Sequence, residues 1–136
     1  MGQLELTGLL SAGPVGSSDT FPASTTEVPL QLLAGTTGSY TNCTGANVLT
    51  LDSPSSFITL RGVGSGAPVA LASLLYLKVD GQVTLRLTNA NGGGSPTVQT
   101  IPLMGLLVIE FPAGFELTLL EAEGAGRLEY LAAGQS

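Results

Sequence analysis

Leu74-Leu75-Tyr76-Leu77-Lys78-Val79-Asp80-Gly81-Gln82-Val83-Thr84-Leu85-Arg86-Leu87-Thr88 decides the fold class of this chain. Leu75, Leu77 and Val79, then Val83, Leu85 and Leu87, recur at every second position, the period of a strand with one face in a core. Lys78, Thr84, Arg86 and Thr88 take the polar face. Asp80-Gly81 in the middle is a favoured type I′ pair, so the sequence predicts a two-strand hairpin turning there.

Outward from that stretch the same period recurs. Leu106–Phe111 runs into Pro112-Ala113-Gly114, which has turn chemistry, and Phe115–Leu120 is expected to return as a second hairpin. Arg127–Leu131 reads as a last strand set off by Gly124-Ala125-Gly126, and Val48–Leu51 and Phe57–Arg61 as earlier strands separated by Asp52-Ser53-Pro54. No stretch shows a capped apolar period of 3.6, so helices are expected to be short or absent. Short strands with Gly/Pro punctuation predict an all-β, antiparallel β-sandwich or jelly roll over residues 31–136. Its expected core is Ile58, Leu60, Leu75, Leu77, Val83, Leu85, Leu87, Val108, Phe111, Leu117, Leu119, Leu128 and Tyr130. The two most apolar runs, Ala67–Leu77 and Leu103–Ile109, are too short to span a bilayer and read as strands buried on both faces.

Residues 1–30 differ. Leu4, Leu6 and Leu9 fit one strand, but residues 11–26 are mostly Ser, Thr, Gly, Pro and Ala. The segment is expected to be an extended N-terminal arm that serves assembly, or a terminal strand plus loop. The start shows neither a signal peptide nor a myristoylation pattern.

Composition restricts function more than it specifies it. Only 10% of the residues are charged and 43% are hydrophobic, a balance suited to a surface covered by partner chains. A homo-oligomer is therefore expected. The net charge of −6, with four basic residues in all, supplies no phosphate-binding stripe, so nucleic acid is not an expected partner, nor is a membrane. Histidine is absent, which removes the commonest general base and metal ligand. Glu110, Glu116, Glu121, Glu123 and Glu129 are the plentiful reactive groups, but with no tryptophan and few aromatics they read as solvated strand faces rather than a glycosidase pair. No Asp-x-Asp loop points to calcium. Gly92-Gly93-Gly94 lacks the lysine and helix of a phosphate cradle and reads as part of a mobile tip over Asn89–Pro96. Cys43 reads as a small buried hydrophobe or a bystander, and Asn42-Cys43-Thr44 as a chance sequon. No catalytic, cofactor-binding or metal-ligating residue is predicted.

The run Leu75–Thr88, with Ile101–Phe111 and Gly126–Leu131 after it, resembles small all-β virion proteins of tailed bacteriophages over residues 57–134. Members of that group decorate or cement capsids, form fibres or build parts of the tail, as trimers or larger rings. The resemblance implies a non-enzymatic virion protein, assembled in the host cytoplasm, with a capsid decoration role, trimeric symmetry, and the major capsid or other virion proteins as partners. A fibre or tail component, or a carbohydrate-binding sandwich module, is the alternative.

Overall fold

The computed structural model describes Leu9–Ala12, Thr26–Pro29 and residues 40–135. Two units divide between Ser39 and Tyr40. In the first, β1 (Leu9–Ala12) pairs antiparallel with β2 (Thr26–Pro29). The expectations for Leu4, Leu6 and most of the arm lie outside the described residues.

The second unit is all-β, a curled antiparallel sheet of β3 (Asn42–Cys43), β4 (Asn47–Thr59), β5 (Leu71–Asn91), β6 (Gly94–Glu110) and β7 (Leu117–Gln135). Central β5 has β6 on one side and β7 on the other, and β3 and β4 pair with the far side of β7.

The hairpin predicted at Asp80-Gly81 does not form: residues 71–91 are one strand. A two-residue turn there would set Leu77 opposite Thr84 and Lys78 opposite Val83, mixing the apolar and polar faces. A continuous strand keeps all six apolar residues on one side, and all six are buried. Gly81 does take positive φ, +126°, but Asp80 does not, so the pair bends the strand without reversing it. The reversal comes at Gly92-Gly93, with φ of +53° and +93°, the sign pattern of a type I′ turn. The expected mobile tip over Asn89–Pro96 is thus a tight turn, with Asn91 paired to Gly94.

Gly124-Ala125-Gly126 is likewise a corner inside β7 rather than a break between strands. Gly126 is registered against Gly81 and Gly124 against Val83, while Gly105 of β6 faces Val79. The glycines therefore form a line across the sheet, and the sheet folds along it. A straight strand the length of β5 would span roughly 65 Å. Yet Leu117 is registered against both Ala72 and Asn89, so the two ends of β5 meet across one residue of β7.

Inside the curl lies a single core. Leu75, Leu77, Leu85, Leu87, Leu117 and Leu128 are at most 1% exposed, and Leu60 and Tyr130 join them. Ile58 and Phe111 pack against it half-buried. Two expected core residues are displaced. Val108 has the opposite parity to Leu107 and Ile109, which face the core. Leu119 is turned out because the register slips at Thr118, whose hydroxyl donates to the Thr88 carbonyl; Leu120 and Ala122 are buried instead.

The second predicted hairpin is also corrected. β6 and β7 do not pair with each other, since β5 lies between them, and residues 111–116 cross over its ends. Phe111 N–H donates to Ser73 at one end and Gly92 N–H to Gly114 at the other. The two strands expected over Val48–Leu51 and Phe57–Arg61 are one strand, β4, with its register broken between Ser53 and Ile58.

Candidate functional site

The outer, convex face of the sheet carries charged side chains arranged in opposite-sign cross-strand neighbours. Lys78 stands opposite Glu129, Asp80 opposite Arg127, and Arg86 opposite Glu121. Arg86 donates from Nε and Nη2 to the two carboxylate oxygens of Glu121 at 2.9 and 2.7 Å. Its guanidinium lies 4.1 Å from the centre of the Phe57 ring, which the irregular stretch of β4 lays over it. Arg127 pairs with Glu129 at 3.0 Å.

The five carboxylates singled out in the sequence are therefore dispersed. Glu121 and Glu129 are in ion pairs, Glu116 accepts from the Gly114 N–H at 3.1 Å, Glu123 lies across from Thr84, and Glu110 ends β6. Among the described residues no group of three or more His, Cys, Asp or Glu side chains is placed to hold a metal ion. Cys43 is exposed, not buried, and its Sγ accepts from the Gly45 N–H at 3.3 Å.

The hydrogen bonds from Arg86 hold the Glu121 carboxyl below the usual carboxylate range. A carboxyl with a lowered folded pKa adds stability above its unfolded pKa and loses it as pH falls through the folded one. Glu121→Gln is thus expected to melt below the wild type at neutral pH, with the gap closing in acid. Melting curves over an acid-to-neutral series check it, and a constant gap contradicts it.

Among the described residues β6 is the outermost strand on its side of the sheet, and Met104 and Leu106 on its outer face are 73% and 59% exposed. Leu103–Ile109 was expected to be buried on both faces, but only Leu103, Leu107 and Ile109 pack against the core. Val98 continues the apolar row at 59% exposure. No charged residue occurs from Gly94 to Ile109, although soluble sheets protect long edge strands with charges. Beside the row, at the bend, Pro54, Gln82, Thr84, Pro102, Met104 and Glu123 line an open groove of about 470 Å³. An uncharged edge of this kind suits backbone pairing and apolar contact with another chain.

Compared with known proteins, the chain matches no protein-family model, no curated sequence and no solved structure.

Proposed function

We propose that this chain is a non-enzymatic structural subunit of a bacteriophage virion, a capsid decoration or cement protein that assembles as a symmetric homo-oligomer on the particle. The observation that carries the assembly part is the edge strand β6, uncharged from Gly94 to Ile109, with Met104 and Leu106 facing outward. The low charge content of the whole chain supports the same reading, because contacts between fixed neighbours favour neutral side chains whose burial costs little. The virion part rests on the resemblance of Leu75–Thr88, Ile101–Phe111 and Gly126–Leu131 to small phage virion proteins. In this reading the two arms of the curled sheet act as the two layers of a sandwich.

Particles purified from a phage that encodes the chain, washed and digested with nuclease, test it by quantitative mass spectrometry. A copy number in fixed proportion to the major capsid protein is expected. A chain found only in the soluble fraction of the lysate contradicts the proposal.

A further inference from the structure

We infer that two copies of this chain pair antiparallel along Ile101–Ile109 of β6, about a two-fold axis beside Gly105, to make one sheet running through both. The inference rests on the reading of the chain as an assembling subunit and specifies the surface used.

The stretch Ile101-Pro102-Leu103-Met104-Gly105-Leu106-Leu107-Val108-Ile109 is close to a palindrome in side-chain character about Gly105. Antiparallel pairing of two copies about that residue sets Ile101 opposite Ile109 of the second copy and Leu103 opposite its Leu107. On the outer face, Met104 meets Leu106 and Pro102 meets Val108. Every cross-strand pair is apolar, and no like charges face each other within the paired stretch. Isologous contact demands this self-complementarity, whereas an unrelated strand does not.

Curvature favours the same axis. Gly105, with φ of +102°, lies on the line of glycines where the sheet bends. A two-fold normal to the sheet at that line maps the bend onto itself, so the curl continues from one copy into the next. An axis elsewhere along β6 would offset the two bends and break the ladder.

Two single-cysteine chains test the register, Met104→Cys and Leu106→Cys, each also carrying Cys43→Ser. Mixed and mildly oxidised, they are expected to give a disulfide-linked dimer in at least several-fold greater yield than either alone. Identical positions sit diagonally, about 7–8 Å apart, beyond easy disulfide reach. Pro102→Cys mixed with Val108→Cys is a second matched pair, expected to behave the same way. Stronger linkage of Met104→Cys with itself, or an oligomer in sedimentation without linkage of either matched pair, overturns the two-fold contact and leaves the assembly reading standing. A monomer in sedimentation overturns both.

Discussion

Gly124→Ala is expected to destabilise the protein by roughly 2–5 kcal/mol, from backbone strain at positive φ and from a steric clash that the sheet cannot relieve. Gly124 has φ of +122°, and a Cβ there would lie 2.5 Å from the Gln82 carbonyl oxygen and 3.0 Å from the Val83 Cα. Both obstacles are backbone atoms of the paired strand, so relief requires opening the ladder at the bend. Gly93→Ala separates the two causes. Gly93 also has positive φ, +93°, but nothing lies within 4 Å of its Cβ position, so strain alone remains, about 1–2 kcal/mol. Urea unfolding of the three proteins checks the contrast, and equal losses for the two variants would show that close approach at the corner contributes nothing.

Leu85→Ala carries a comparable expected loss, roughly 2–5 kcal/mol, because it opens a cavity in the centre of the curl. Leu85 has no exposed surface and stands between Ile101 of β6 and Ala122 of β7. Thr84→Ala, one residue away on the outer face, is expected to stay within about 0.5 kcal/mol of wild type. The pair reads out the alternation of β5 directly by thermal or urea denaturation. Similar losses at the two sites would mean that the strand does not alternate as described.

The faces of the strands were legible in the sequence, while their ends were not. Alternation placed Leu75, Leu77, Val79, Val83, Leu85 and Leu87 on the buried side, where the structure has them, because period 2 follows from backbone geometry alone. The turn at Asp80-Gly81 was misread from local chemistry, although the parity of the apolar residues on either side already argued against it. Glycine at positive φ serves both reversals and corners. At Gly92-Gly93 two consecutive residues take it and the chain reverses; at Gly81 one residue takes it opposite Gly126, and the sheet bends. Leu119 was misplaced because the slip at Thr118 depends on how the ends of β5 and β7 meet, a non-local event.

The candidate surface was less legible. Leu103–Ile109 has the composition of a strand covered on both faces, and its exposure follows from its place at the end of the strand order, which no local pattern encodes. What the sequence did contain was the low charge content of the whole chain and the palindrome about Gly105. Both acquire meaning once β6 is seen to be an edge.

Sedimentation velocity of the full chain beside a Met104→Lys, Leu106→Lys double variant, over a range of micromolar concentrations, tests the central claim that this edge is built for assembly. The wild type is expected to sediment as an oligomer and the double variant as a folded monomer with an unchanged far-ultraviolet spectrum, since both side chains lie mostly in solvent within one chain. A wild type that remains monomeric throughout, or a double variant that assembles as the wild type does, would contradict the account.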